Sequence, residues 1–143
     1  MQRARSETAK LAREDSILTA AEILLRQSGY DAMTMQAVAT AAGLAKGTLY
    51  LYFTSRESLV LAVHGRLFDR WIDRFAVYQP ELTGFDGFCR DFARHYADDP
   101  LFLQLAGFAT ALLEPQLDRE AYIKSKRRMA WRVKRLAGLA CQQ

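Results

Sequence analysis

Thiols are nearly missing from this sequence: Cys89 and Cys141 are its two cysteines. That excludes a disulfide-stapled secreted scaffold and any zinc site made of paired cysteines. No apolar run reaches the eighteen or so residues that a membrane-spanning helix needs. The first fifteen residues are charged, with no apolar stretch behind a basic head, so they do not read as a signal peptide. Strand-like alternation, internal repeats and low-complexity segments are also lacking. His64 and His95 stand 31 positions apart without metal-ligand spacing around either, and there is no Gly-rich phosphate loop or nucleophile signature. These absences point away from an enzyme, from a metal site and from any bound cofactor. They leave a soluble protein of a reducing, cytoplasmic compartment as the expectation.

What is present is helical pattern and localised charge. Half of the 143 residues are hydrophobic and a quarter are charged, the balance of a globular domain, and the formal charge is +4. Basicity is concentrated at the two ends: Arg3, Arg5, Lys10 and Arg13 near the start, and Lys124, Lys126, Arg127, Arg128, Arg132, Lys134 and Arg135 near the finish. Residues 1–60 carry seven Lys/Arg against six Asp/Glu, so the first part is hardly basic as a whole.

Apolar positions Ile17, Ala20, Ala21, Leu24 and Leu25 predict a helix from Ser6 to Ser28, ended by a left-handed cap at Gly29. Thr34 is a good N-cap for a short helix that Gly43 stops, with Met33 and Val38 placed as a staple. A second short segment runs from Lys46 to Phe53. Thr54 and Glu57 read as a capping box opening a long helix striped by Leu59, Val63, Leu67, Trp71 and Phe75. Pro80 and Gly84 bound a loop. Phe85, Phe88, Phe92 and Tyr96 mark another amphipathic helix. Asp99 and Pro100 should start a nearly all-apolar helix from Leu101 to Leu113 that Pro115 ends. A last helix from Asp118 to Ala140 carries Tyr122, Met129, Val133, Leu136 and Ala140 on one face. The expectation is an all-α chain of about seven helices, with Cys89 a small buried hydrophobe among the phenylalanines.

The informative stretch is Thr34 to Phe53, TMQAVATAAGLAKGTLYLYF. Two short helices joined at Gly43 form a helix-turn-helix arrangement, with Ala37, Val38, Ala41, Leu44 and Leu49 placed to pack them together. Lys46, Thr48, Tyr50 and Tyr52 are then free to meet phosphates or base edges. By composition alone a bland helical hairpin reads the same way. The run Gly29-Tyr30, Thr34-Met35, Val38-Ala39 and Ala42 through Phe53, followed by Ser55-Arg56-Glu57-Ser58-Leu59, resembles the DNA-binding domain of the TetR family of bacterial repressors. The resemblance covers about Ile17 to Val63.

That resemblance implies a three-helix DNA-binding domain at 1–54 and a helical ligand-binding and regulatory domain at 55–143. It implies a recognition helix from Lys46 to Tyr52 in the major groove of a double-stranded operator, with Lys46, Gly47 and Thr48 approaching bases and backbone. Tyr50 and Tyr52 would contact phosphate, as would the helix N-terminus at Thr34 and the cation of Arg56. Arg3, Arg5 and Lys10 would form a basic arm near the duplex, or a solvated tail. A solvated helix face is the plainer reading of the cluster from Lys124 to Arg135.

In the second half, Trp71, Phe75, Phe88, Phe92, Phe102, Phe108, Tyr122 and Met129 lie on faces that must converge. They are either ordinary core or the lining for a large apolar or planar effector, a cation among the options, with His64, His95 and Gln104 as polar contacts. The implied protein is a homodimeric, ligand-responsive repressor away from the membrane. A helical ligand-binding or interaction module without specific DNA binding is the alternative. Family members normally continue with two more helices that build the dimer interface, so the expectation is that this chain is a fragment with exposed apolar surface.

Overall fold

The structure is a computed structural model that describes residues 2–78 and 84–140; the side chains of residues 2–6, 78, 85, 88, 110, 112 and 140 are outside the description. Seven α-helices account for most of the described residues, and no strand occurs among them. The residues form two compact units, Met1–Val63 and His64–Gln143.

In the first unit, α1 (Gln2–Ala32) is long and breaks at Gly29, whose φ of 78° and ψ of 176° interrupt the helix. The positive φ is the one expected of a glycine stop, but the extended ψ makes it a kink rather than a left-handed cap. Thr34 caps α2 (Met35–Ala41): its hydroxyl oxygen accepts from the Ala37 amide at 3.1 Å. The turn after α2 is a Schellman motif around Gly43, which has φ 66°. The Gly43 amide donates to the Thr40 carbonyl at 3.1 Å and the Leu44 amide to the Ala39 carbonyl at 2.8 Å.

Helix α3 is Lys46–Tyr50, shorter than the segment read from the sequence. Past Tyr50 the amides of Leu51 and Tyr52 donate three residues back, to Thr48 and Leu49, so the chain tightens and leaves the helix. The core of this unit is Ile17, Ala21 and Leu25 from α1, Met33, Val38 and Ala39 around α2, Leu49 of α3, then Phe53, Leu59, Val60 and Val63. Ala39 takes the buried place assigned to Ala41, which is exposed; Ala37 and Leu44 are half-buried.

Helix α4 (Arg56–Tyr78) starts from a reciprocal cap displaced by one residue from the expected box. Ser55 and Ser58, rather than Thr54 and Glu57, exchange bonds: the Ser58 amide donates to Ser55 Oγ at 3.0 Å and the Ser55 amide to Ser58 Oγ at 3.1 Å. Glu57 is occupied elsewhere, accepting from the Tyr30 hydroxyl at 3.4 Å and from Arg56 Nε at 3.4 Å.

The second unit is centred on the buried stripe Leu67, Trp71 and Phe75 of α4, with Ile72 beside it. Helix α5 (Gly84–Ala97) brings Phe92 and Tyr96, and α6 (Pro100–Phe108) brings Leu101, Phe102 and Leu105. As anticipated, Pro100 opens α6 and Asp99 caps it, accepting from the amides of Leu101 and Phe102 at 3.1 and 3.3 Å. The apolar run does not continue as one α-helix to Leu113. Ala109–Leu113 is a π-helical turn and Glu114–Gln116 a 3₁₀ turn. Pro115 lacks an amide and its ring crowds the carbonyl four residues back, so the preceding turn widens, and the Glu114 amide reaches Ala109 instead. Cys89 is exposed, against expectation. Pro80, Cys141 and the side chain of Phe85 lie outside the described residues.

Helix α7 (Arg119–Ala140) is turned away from its expected face. Tyr122 and Val133 are exposed, along with Ile123 and Trp131, while Met129 and Leu136 are only half-buried. What α7 offers α4 is charge: Arg132 makes a two-pronged contact with Asp69, Nε to Oδ1 at 2.8 Å and Nη2 to Oδ2 at 2.7 Å, and Arg135 pairs with Asp73. The Arg132 guanidinium lies against the backbone of Gly65, where an added Cβ would come within 2.7 Å of Nη2.

A sign reversal should follow. Mid-helix Gly→Ala normally stabilises by about 0.5–1 kcal/mol. Gly65→Ala is expected to destabilise, because it pushes the guanidinium off Asp69. In an Arg132→Ala background, itself destabilised by about 1–3 kcal/mol through loss of a charged hydrogen-bond pair, Gly65→Ala should stabilise instead. Urea unfolding of the four proteins reads this directly; the same sign in both backgrounds would count against the contact.

Candidate functional site

Two groupings of the sequence-predicted residues are to be considered, one in each unit. In the first, Leu49 is fully buried and anchors α3 to the core. Lys46, Gly47 and Tyr50 are exposed, Tyr50 by 42%, and Thr48 and Tyr52 are half-buried. Tyr50, one position after the buried Leu49, lies about 100° round the helix from it and is exposed, and Lys46 is exposed as the first residue of α3. Thr34 is exposed at the start of α2, its hydroxyl already used as the cap. Arg56 is the most constrained of the set. Its guanidinium carbon lies 4.3 Å from the Tyr30 ring centroid, a cation–π contact, while Nε meets Glu57. Leu51, 84% exposed on the far side of the same turn, went unnoticed in the sequence. The side chains of Arg3 and Arg5 lie outside the described residues.

In the second unit the structure brings Trp71, Phe75, Phe92 and Phe102 together. Trp71 stacks on Phe75 at 5.3 Å between centroids and meets Phe92 edge-on at 4.9 Å, with Phe102 at 6.2 Å. Three further rings complete the cluster. Tyr96 packs edge-on to Phe102 at 4.9 Å, Phe68 lies 5.5 Å from Phe102, and His64 stacks on Phe102 at 5.5 Å. Phe68, which was not among the expected residues, is next to Leu67 and outside the four-residue repeat of Leu59, Val63, Leu67, Trp71 and Phe75. Its spacing, four after His64 and three before Trp71, was the available signal.

Phe108 is half-buried at the end of α6. Tyr122 does not join the cluster: it is 41% exposed on α7, its ring 5.4 Å from Lys126 Nζ. The side chain of Phe88 is outside the described residues. His95 takes an edge-on place against Phe75 at 5.9 Å, and Gln104 is exposed. No group of three or more His, Cys, Asp or Glu among the described residues could hold a metal ion. No described helix is long and apolar enough to cross a membrane.

His64 is the buried titratable group of this cluster. Burial above all, and the nearby charge of Arg132 next, lower its pKa from 6.5 to about 4, against an opposing pull from Glu114. The ring is therefore neutral near pH 7. Because its folded pKa is depressed, the stability that this confers is present above the unfolded pKa and is lost as pH falls towards the folded one. Unfolding followed from about pH 7.5 to about pH 5 should show a loss of about 2 kcal/mol attributable to His64. His64→Phe, which keeps a stacking ring, should flatten that slope; an unchanged slope would show that other groups cause it.

Comparison with known proteins places both units. Residues 17–63 match the profile of bacterial regulatory proteins of the tetR family, and residues 64–143 match a tetracyclin repressor-like C-terminal domain. The HTH-type transcriptional regulator AlkX of Mycobacterium tuberculosis is 32% identical over 121 residues, covering 78% of this chain and 54% of AlkX. The HTH-type transcriptional repressor KstR of Mycolicibacterium smegmatis is 43% identical over 58 residues, 41% of this chain and 28% of KstR. The chain thus spans about half the length of AlkX, and less of KstR. Among solved structures, the fatty acid degradation regulator FadR of Bacillus halodurans aligns with a TM-score of 0.57 at 23% identity, over 91% of this chain and 67% of that one. FadR of Bacillus subtilis, solved in complex with stearoyl-CoA, aligns with the same TM-score at 21% identity, over 89% and 68%. At these identities the likeness is one of fold.

Proposed function

Because the chain belongs to the TetR family of bacterial regulatory proteins, we propose that it is a DNA-binding transcriptional repressor whose hold on its operator is released by a small apolar effector. The observation that carries this reading is the pair α2–α3. A Schellman turn fixes the second helix, Leu49 is locked in the core, and Lys46 and Tyr50 face outward from the helix that follows the turn. DNA reading falls to residues 1–54, with Lys46, Gly47 and Thr48 at base edges and backbone, and Tyr50, Tyr52 and Thr34 at phosphates. Arg56 reaches phosphate with the guanidinium nitrogens that Glu57 leaves over.

Effector binding falls to residues 55–143, where Trp71, Phe75, Phe92 and Phe102 supply aromatic faces. The stearoyl-CoA bound by a FadR of this fold carries a long acyl chain, which supports an occupant with an apolar body. The repressor acts as a homodimer on a palindromic operator in the cytoplasm. Its two recognition helices are then one turn of DNA apart, ~34–36 Å, and effector binding shifts that separation. The curated relative KstR, a transcriptional repressor, supports the direction of control.

A reporter driven by the DNA upstream of the protein's own gene tests the reading. Cells making the wild type should silence it, and cells making Lys46→Ala/Tyr50→Phe at equal abundance should not. Equal silencing by both, or none by either, would leave a helical module without specific DNA binding as the better account.

A further inference from the structure

The aromatic cluster of the second unit contains one polar group that its packing leaves unused. Trp71 is 1% exposed, and its indole Nε1 has no hydrogen-bond partner among the described residues. Around it stand Phe68, Phe75, Phe92, Tyr96 and Phe102, with ring centroids between 4.9 and 6.2 Å away. Four of these five rings are pure hydrocarbon, and the fifth presents its edge or face to the indole at 83°. A buried N–H without an acceptor costs about 1–3 kcal/mol, and native proteins hold few such groups. A phenylalanine at position 71 would stack on Phe75 without that cost. The indole is therefore explained by a use for its N–H.

An indole N–H donates and cannot accept. It selects against a hydrocarbon, which would leave it unpaired, and against an ammonium, which brings only donors. Arg132 and Lys126 of α7 are already matched, with Asp69 and Glu114, so these two cations do not call for an anionic partner. We propose that Trp71 Nε1–H is the anchor for the effector, and that the effector is an uncharged apolar molecule bearing a carbonyl or ether oxygen. This rests on the reading that the second unit takes a small apolar molecule, and it specifies the chemistry of that molecule. The ring faces hold its body by stacking and area burial, and the indole fixes its orientation through a single bond.

Three probes of one carbon skeleton test it: acetophenone, ethylbenzene and 1-phenylethylammonium. The protein used is Trp131→Phe, which removes the exposed second tryptophan and leaves the Trp71 indole as the one ¹⁵N-indole resonance. Acetophenone should move the indole proton downfield as it binds. Ethylbenzene should bind without a downfield shift, and the ammonium at least about tenfold more weakly than acetophenone, since it offers no acceptor. Replacing Trp71 by phenylalanine, or by benzothienylalanine if phenylalanine loosens the core, should weaken acetophenone about five- to tenfold and leave ethylbenzene unchanged.

If acetophenone and ethylbenzene both bind, equally and without moving the indole proton, the anchor is overturned and the apolar-effector reading stands. An indole proton that is already shielded, and stays so, would assign the N–H to the face of Phe92 or Tyr96 and overturn the anchor as well. Failure of all three probes to bind would overturn the anchor and the apolar-effector reading together.

Discussion

Truncating Phe102 to alanine is expected to lower stability by about 3–5 kcal/mol, the range for removing a buried aromatic ring. Phe102 is almost wholly buried and its ring meets His64, Phe68, Trp71 and Tyr96, so it joins α6 to both α4 and α5. These neighbours are large and mutually stacked, and they cannot collapse into the space without giving up their own contacts. Part of the cost is therefore that of a lasting cavity. Tyr122→Ala is the matched control. Tyr122 is exposed on α7, and its loss should change stability by no more than about 0.5 kcal/mol. Denaturant midpoints, with the signal from Trp71 in the Trp131→Phe protein, separate the two outcomes. Comparable losses for both would mean that α7 buries its apolar face and that the cluster is not the centre of the second unit.

The other large effect concerns DNA. Lys46→Ala removes a charged contact worth about 1.5–3 kcal/mol and Tyr50→Phe a neutral one worth about 1 kcal/mol. Together they should weaken operator binding by roughly 100-fold or more per recognition helix. Both side chains are exposed and neither supports the core, so the unfolding midpoint should stay where it is. Loss of affinity with unchanged stability is the signature of a contact residue. Leu49→Ala should show the opposite pattern, losing stability first, because Leu49 is fully buried.

How much could be read in the sequence follows the range of the interactions involved. The α2–α3 pair was legible because its determinants are local: Thr34 bonds to an amide three residues on, and Gly43 closes a turn within six residues. The start of α4 was one residue out. Thr54 and Ser55 are both competent caps, and the choice was settled by Tyr30, 27 positions away, which engages Glu57. The face of α7 was misjudged for the same reason at longer range. An apolar stripe was visible, whereas the pairing of Arg132 with Asp69, 63 positions apart, was not. Most of the aromatic cluster was legible: Trp71, Phe75, Phe92, Tyr96 and Phe102 stand on visible stripes and His64 among the expected polar contacts, whereas Phe68 joins them through its packing against Phe102 of α6.

The central claim is that α3 reads DNA. Fluorescence anisotropy of a labelled duplex from upstream of the protein's own gene, against a scrambled duplex of equal length and composition, tests it most directly. Binding should be about 10³-fold or more tighter to the upstream duplex. It should fall steeply as salt rises from about 50 mM to about 200 mM, with a shallower salt slope once Lys46 is removed. Lys46→Ala/Tyr50→Phe should bring the upstream duplex close to the scrambled one. Equal affinity of the wild type for the two duplexes, or a double variant that binds as the wild type does, would contradict the claim.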